Sequence, residues 1–229
     1  METEKALPVT RLSATRAGAI VTVKGEEGRE YRGRVVEVAG ETALVRIFEE
    51  LDFPSESPLP ITLLQALPKK ERMELIIQKA TELGVSEIIP CVSARSATPG
   101  AAGKAEDKSH RWPAVVQRAV EQCRRRVAPS VSPCRAFPEA VESLALCDGL
   151  KLLLYEKERV VRLKGLAASM ERAKRVVMAC GPEGGFTDEE VRFARERGFL
   201  PVRLGGRILR CETAALAALS IIQYQWGDL

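Results

Sequence analysis

From Pro60 onward, short continuous apolar runs alternate with longer segments of helical period, and this alternation limits the fold more than any other feature. Ile61–Ala66 is an apolar run of strand length. Lys69–Leu83 places Met73, Ile76, Ile77, Ala80 and Leu83 on one face of a helix that Gly84 closes. Val85–Pro90 is strand-like again. A looser stretch to Gly103 precedes a helix over about Asp107–Arg125, whose Pro113 fits only near the first turn. Lys151–Tyr155, Arg175–Cys180 and Leu200–Leu204 are further strand runs, and Ala214–Trp226 is a closing helix. Strands that are apolar on both faces, separated by helices, predict an α/β fold with a mainly parallel sheet covered on both sides. Ligands of such sheets bind outside the carboxyl ends of the strands.

The first fifty residues follow a different rule. Ala19–Lys24, Glu30–Val38 and Thr42–Phe48 are rich in Val, Ile and Thr and are separated by the turns GEEG and GE, the signature of a small β-domain. Arg32, Arg34 and Arg46 alternate with apolar neighbours, which assigns them to its wet face. No opening strand is recognisable in METEKALPVTRLSATRAG. FPSESPLP (53–60) has three prolines in eight residues and reads as a linker, so the expected domains are 1–56 and 60–229.

Composition narrows the chemistry. Cysteines at 91, 123, 134, 147, 180 and 211 form no CxxC pair, and the one histidine, His110, has no cysteine neighbour. A metal site is therefore not expected, and the scattered thiols fit a reducing cytoplasm. The longest fully apolar run, Ala214–Leu219, is far too short to span a bilayer, so the reading is a soluble, cytoplasmic protein. A net charge of +4 permits a nucleic-acid partner without requiring one. With only 5% aromatic residues, a surface built on base stacking would have few side chains to use. The densest basic point is Cys123–Arg126. It serves either as a solvated helix end or, through Arg124 and Arg125 with Lys69, Arg72 and Arg95, as a phosphate track.

Two glycine-rich turns each follow a strand and open a helix. In GPEGGFTDEE (181–190), Thr187 and Glu190 form a capping box, with Phe186 and Val191 placed as its hydrophobic staple. Gly181, Gly184 and Gly185 permit close backbone approach, and Pro182 stiffens the turn. The stretch is neither a Walker A loop nor a GxGxxG loop, and Glu183 would repel a phosphate. A cationic or neutral ligand such as a sulfonium or an adenosine group suits it better. The second turn, LGGRILRCETA (204–214), also leaves a strand end, so the two can wall one pocket.

These two stretches, with KKERMELIIQKATELGVSEIIPCVSARS (69–96), EQCRRRVAP (121–129) and the closing QWGDL, resemble the 16S ribosomal RNA uridine-N3 methyltransferases of the SPOUT superfamily. The resemblance runs from about residue 60 to the C-terminus, and more weakly through GEEGREYRGRVVEV. It implies a trefoil-knotted α/β methyltransferase domain behind a PUA-like β-barrel that helps to hold RNA through Arg32 and Arg34. It also implies S-adenosylmethionine as cofactor, a homodimer, and 16S rRNA, within the assembled 30S subunit, as partner. The cofactor loops on this sequence are the strand end with Leu154; Gly181, Pro182, Glu183, Gly184 and Gly185; and Leu204, Gly205, Ile208, Leu209, Thr213 and Ala214. Cys211 stands where the family usually has threonine, and Gly206 where a bulkier residue or proline is common.

The chemistry requires removal of the uridine N3 proton and stabilisation of charge spreading onto O2 and O4. His110 lies far from the loops, so the base is a carboxylate, Glu183 or Glu212, or a water molecule. Glu212 equally suits the start of a helix for dipole reasons alone. Arg210 is the candidate for stabilising the developing negative oxygens. Two other readings stay open on these residues: a superfamily member methylating a ribose 2′-oxygen or another base, and a non-catalytic RNA-binding adaptor.

Overall fold

A computed structural model describes residues 3–69, 72–96 and 109–229; of the helices expected above, residues 70, 71, 107 and 108 lie outside the described residues. The chain forms two compact units, one made of 1–57 with 114–128 and the other of 58–113 with 129–229. The sequence boundaries at 56 and 60 fall at this junction, but residues 114–128, expected with the second domain, group with the first.

The first unit is an antiparallel sheet of β1 (Thr3–Pro8), β2 (Ile20–Lys24), β3 (Glu30–Ala39) and β4 (Thr42–Glu50), in the order β1-β4-β3-β2. Its core holds Val21, Val23, Val35, Ala43, Val45 and Ile47. At Gly33 a Cβ would stand 2.5 Å from Val45 Cγ1, and the register of β3 on β4 shifts there. Such a bulge needs glycine. Strand β1 corrects the reading of the first eighteen residues: it pairs with β4 from Thr3↔Ile47 to Pro8↔Thr42. Nearly every β1 side chain is exposed, so it carries no alternation for a sequence to betray.

The first unit also takes in most of α2 (Trp112–Cys123) and the basic stretch after it. Arg125 is 6% exposed, and its Nε and Nη2 donate to Glu56 Oε2 at 3.1 and 2.7 Å. Arg126 Nε donates to the buried Glu30 at 3.0 Å, and Thr22 Oγ1 donates to the Arg124 carbonyl at 2.7 Å. The stretch is therefore not a solvated helix end. Its middle arginine is a buried cation held by a carboxylate.

The second unit is built on a parallel sheet of β5 (Ile61–Ala66), β6 (Glu87–Val92), β7 (Ser130–Val131), β8 (Arg135–Ala136), β9 (Leu150–Leu154), β10 (Val176–Cys180) and β11 (Leu200–Val202). The order is β11-β9-β10-β5-β6-β7, with β8 also on β6. Strand β10 thus lies between β5 and β9 and is buried at every position. Strand β6 continues past Pro90, where the sequence reading stopped. Pro90 falls in the gap between the residues that pair with β7 and those that pair with β8, so its missing N–H disrupts neither ladder. The helices are α1 (Arg72–Glu82), α3 (Phe137–Ala145), α4 (Leu163–Ser169), α5 (Asp188–Glu196) and α6 (Cys211–Trp226). Helix α1 buries Met73, Ile76, Ile77 and Ala80, as its periodicity requires. Helix α6 starts three residues earlier than expected, with Arg210 as its N-cap residue. Among the described residues no helix is long and apolar enough to cross a membrane.

The buried ion pairs of the first unit make a stability prediction. Glu56→Ala withdraws the carboxylate from buried Arg125 and should cost about 3 kcal/mol in urea unfolding. Burial pushes the Glu30 carboxyl up, but the Ser55 hydroxyl and N–H and Arg126 outweigh it and hold it below the ordinary range. A carboxyl depressed on folding contributes stability that is complete above its unfolded pKa and lost as pH falls through its folded one. Glu30→Gln should therefore flatten the acid limb of the stability curve; an unchanged limb would contradict the assignment.

Candidate cofactor and substrate site

Strands β9, β10 and β11 end side by side, and the segments that leave them enclose a cavity of about 290 Å³. Leu154, Tyr155 and Glu156 line it from β9; Cys180 and Gly181–Gly185 from β10; Val202–Gly205, Arg207–Leu209, Cys211 and Ala214 from β11 and the start of α6. Eleven of the twelve expected cofactor residues converge there: Leu154, Gly181, Pro182, Glu183, Gly184, Gly185, Leu204, Gly205, Ile208, Leu209 and Ala214. Thr213 does not line the cavity; it is exposed on the first turn of α6.

The glycines of the first turn are dictated by space. A Cβ on Gly181 would lie 3.2 Å from the backbone of Gly185, and one on Gly184 would lie 3.1 Å from the Arg95 side chain. Gly185 has φ +66°, and its Cβ would stand 3.1 Å from the Glu156 carboxylate. Both arms of the capping box are present: Thr187 Oγ1 accepts from the Glu190 N–H, and Glu190 accepts from the Thr187 N–H. Glu190 also accepts from the Ala94 N–H at 2.7 Å, which ties the segment after β6 to the start of α5. Phe186 and Val191 are both buried in the core beneath.

Three residues expected to touch RNA gather instead at this turn. The Lys69 N–H donates to both Glu183 oxygens at 2.9 and 3.1 Å, and Arg72 Nη1 donates to Glu183 Oε1 at 2.5 Å. Arg72 Nε lies 3.6 Å from Glu212 Oε1, and Arg95 Nη1 donates to the Gly184 carbonyl at 2.8 Å. The other four lie in the first unit. Arg34 is exposed and donates to the Gly18 carbonyl; Arg124 is exposed with φ 61°. Arg32, expected on the wet face, has a side chain only 19% exposed and pairs with Glu49. Arg125 is buried, as described above, and does not present its charge to solvent.

Charge at the cavity is ordered by these contacts. Burial pushes the Glu212 carboxyl up, but its own helix-start N–H, the Cys211 thiol, Arg72 and Arg210 outweigh that and hold it below the ordinary range. Burial raises both neighbouring thiols, with Cys211, which donates to Glu212 Oε2 at 3.2 Å, pushed up to about 12. Arg203 braces the second turn from within by donating to the Gly205 and Gly206 carbonyls. Arg210 is exposed; its carbonyl accepts from the Ala214 N–H at 2.8 Å, its side chain makes no cap hydrogen bond, and its charge helps to hold the Glu212 carboxyl down. Glu156, Arg203 and Arg207 line the cavity although sequence reasoning passed them over; their places right after a strand end or inside the second turn were the available signal. Among the described residues no group of His, Cys, Asp and Glu stands ready to hold a metal ion.

Comparison with known proteins points one way. Residues 55–223 match a family described as an RNA methyltransferase domain. The ribosomal RNA small subunit methyltransferase E of Synechocystis sp. is 36% identical over 195 residues, covering 85% of this chain and 62% of that relative, which is less than two thirds of its length. That of Bacillus subtilis is 31% identical over 203 residues, covering 87% of this chain and 79% of the relative. The crystal structure of a ribosomal RNA small subunit methyltransferase E from Neisseria gonorrhoeae bound to S-adenosyl methionine has a TM-score of 0.74 and 33% identity, covering 100% of this chain and 94% of that one.

The raised thiols give a direct check on this geometry. In the folded protein at neutral pH, iodoacetamide should label Cys180 and Cys211 far more slowly than the same thiols in urea. Equal labelling in both states, read by peptide mass spectrometry, would contradict the packing described.

Proposed function

The chain belongs to the RNA methyltransferase domain family, and from that premise we propose that it transfers a methyl group from S-adenosylmethionine to N3 of one uridine in 16S rRNA of the small ribosomal subunit. One observation carries the reading: both glycine-rich turns and three parallel strand ends meet in a single cavity. The crystallised Neisseria relative, similar along the whole chain, is bound to the same cofactor.

The residues present fit that cofactor. Gly181, Gly184 and Gly185 keep open the space that a Cβ would take from Arg95, Glu156 or the turn itself. Leu154, Leu204, Ile208 and Leu209 offer apolar walls for the purine, and Glu156 and Glu183 put negative charge beside a cation. S-adenosylmethionine, when bound, supplies a methyl group already activated on a sulfonium.

The work left to the protein is orientation and charge. Walls built from two fixed turns hold the reacting atoms in line, the effect that lowers such barriers most cheaply. Arg210, a cation at the N-cap of α6 whose side chain makes no cap hydrogen bond, is our candidate for stabilising negative charge on O2 or O4 of the uracil as N3 loses its proton. Glu183 and Glu212 remain the protein's carboxylate acceptors, but both are engaged by Arg72, and Glu212 is further depressed by its neighbours. A depressed carboxyl is a weak base. We therefore assign the larger share of catalysis to Arg210 and the proton to Glu183, Glu212 or water.

The finer architecture follows the same reading. The placement of β10 between β5 and β9 supports a trefoil knot formed where the two turns pass one another. The antiparallel unit is read as PUA-like, offering the exposed Arg34 and Arg124 to RNA, while Lys69 and Arg95 offer theirs beside the cavity. Ile208, Ile221 and Tyr224 leave apolar surface uncovered at the start and along one side of α6. That surface supports a homodimer joined at or near this helix, working on the 30S subunit in the cytoplasm.

Calorimetry should find one S-adenosylmethionine per chain, unaffected by a chelator. In single-turnover methylation of 30S subunits, Arg210→Ala should lose about 3–4 kcal/mol of transition-state stabilisation. Arg210→Lys should lose most of the same rate, because it keeps the charge and loses the planar fork. Cofactor affinity should stay within a few-fold in both; loss in proportion to rate would make Arg210 a pocket wall instead. Light scattering should show a dimer, and a concentration-independent monomer would contradict the use of α6.

A further inference from the structure

We propose that Arg72 is a positioning residue of this site: its single guanidinium bridges Glu183 of the first glycine turn and Glu212 of the last helix, and so sets both the spacing and the charge between the two loops that wall the cavity. The proposal rests on the methyltransferase reading above. It assigns Arg72 to the protein's own carboxylates rather than to the RNA backbone.

The geometry makes the bridge two-sided. Nη1 donates to Glu183 Oε1 at 2.5 Å, while Nε lies 3.6 Å from Glu212 Oε1. Glu183 is held from a second direction by the Lys69 N–H on both of its oxygens, and the next carbonyl, that of Gly184, is held by Arg95. The turn is thus fastened from outside by donors at the start of α1 and in the segment after β6. It needs such fastening, because glycines contribute no side chains of their own to lock a loop. Across to the second loop, the other link among the described residues is the Cys180 thiol donating to the Cys211 carbonyl at 3.6 Å. A thiol is a weak donor. The Arg72 bridge is therefore the charged connection between the loops, and its side chains are 33%, 24% and 14% exposed for Arg72, Glu183 and Glu212. At that exposure salt screens the bridge less than it would a fully solvated pair.

Charge gives the bridge its consequence. Two carboxylates with one guanidinium between them carry a net single negative charge. Take the guanidinium away and two anions face each other across the loops, beside a nucleobase that must itself become negative. Repulsion then misplaces the loops and opposes loss of the N3 proton. A displacement of about 1 Å at a reacting centre can cost on the order of 100-fold in rate. A phosphate, by contrast, would have to draw Arg72 from two anions it already satisfies.

The test uses the full chain with Arg72→Gln, which keeps a polar side chain but loses the charge and the reach of the guanidinium, and Arg72→Lys, which keeps charge and loses the fork. Three quantities are read in each: S-adenosylmethionine affinity by calorimetry, 30S affinity as a function of salt, and the single-turnover rate at saturation of both. The expected result is a rate lowered roughly 10- to 100-fold in Arg72→Gln and partly recovered in Arg72→Lys, with cofactor affinity within about threefold and the salt slope unchanged. A shallower salt slope with an unchanged saturated rate would make Arg72 a phosphate contact and overturn the proposal. Cofactor affinity falling in step with rate would make it a wall of the cavity, which also overturns it. A wild-type chain that binds cofactor and methylates no 30S subunit overturns the functional reading and the positioning role with it; the wild-type arm separates that failure from the others.

Discussion

The insertion of β10 between β5 and β9 is the constraint on which the site depends. A strand in the middle of a parallel sheet has both edges satisfied and both faces buried, and all five of its residues are buried here. That fixes the position of Cys180, and with it the point from which the first glycine turn must leave. Strand β9 lies on one side and β11 beyond it, so the three chain exits fall next to each other at one end of the sheet. The cavity is what remains between those exits. Its walls are turns and strand ends, which is why glycines and backbone groups line so much of it.

The site is also a problem in charge placement. Glu156, Glu183 and Glu212 bring negative charge close to a pocket read as holding a sulfonium, while the uracil proposed as substrate would become negative in turn. Glu183 and Glu212 are tied to Arg72 on one flank, and Arg210, at the N-cap position of α6, adds its charge to those that hold Glu212 down. Cys211 stays a neutral thiol, burial having pushed it up to about 12, and so serves as a donor to Glu212 rather than as another anion.

Much of this was legible in the sequence, for identifiable reasons. The doubly buried strands read as apolar runs, and the capping box at Thr187 and Glu190 fixed the start of α5 to the residue. Helix α1 showed its buried face through Met73, Ile76, Ile77 and Ala80. Helix α3 was passed over although Phe137, Ala140, Val141 and Leu144 stand at helical spacing behind a proline that suits a first turn; the other elements that escaped had no local signature. Strand β1 is exposed at nearly every position and held mainly by backbone pairing, with Glu4 accepting from Arg46 and Leu7 against the core, while β7 and β8 are two residues each, too short to carry a period. Arginine was the hardest residue to place. Arg72, Arg95, Arg125 and Arg32 all read as surface cations, yet each is spent at least partly on the protein itself, two of them on the first glycine turn. Their partners lie far away in sequence, Glu183 being 111 residues from Arg72. No local pattern reaches across such a distance.

The central claim is that this cavity directs methyl transfer to N3 of a uridine in small-subunit rRNA, and the position of the product methyl group tests it most directly. 30S subunits from a strain lacking the endogenous activity would be incubated with the purified chain and S-adenosylmethionine carrying a deuterated methyl group. The 16S rRNA would then be digested and its nucleosides mapped by mass spectrometry. The account predicts the label on one uridine, on the base and at N3, giving 3-methyluridine. Label on a ribose 2′-oxygen, on another base, or on no nucleoside of 16S rRNA would contradict it.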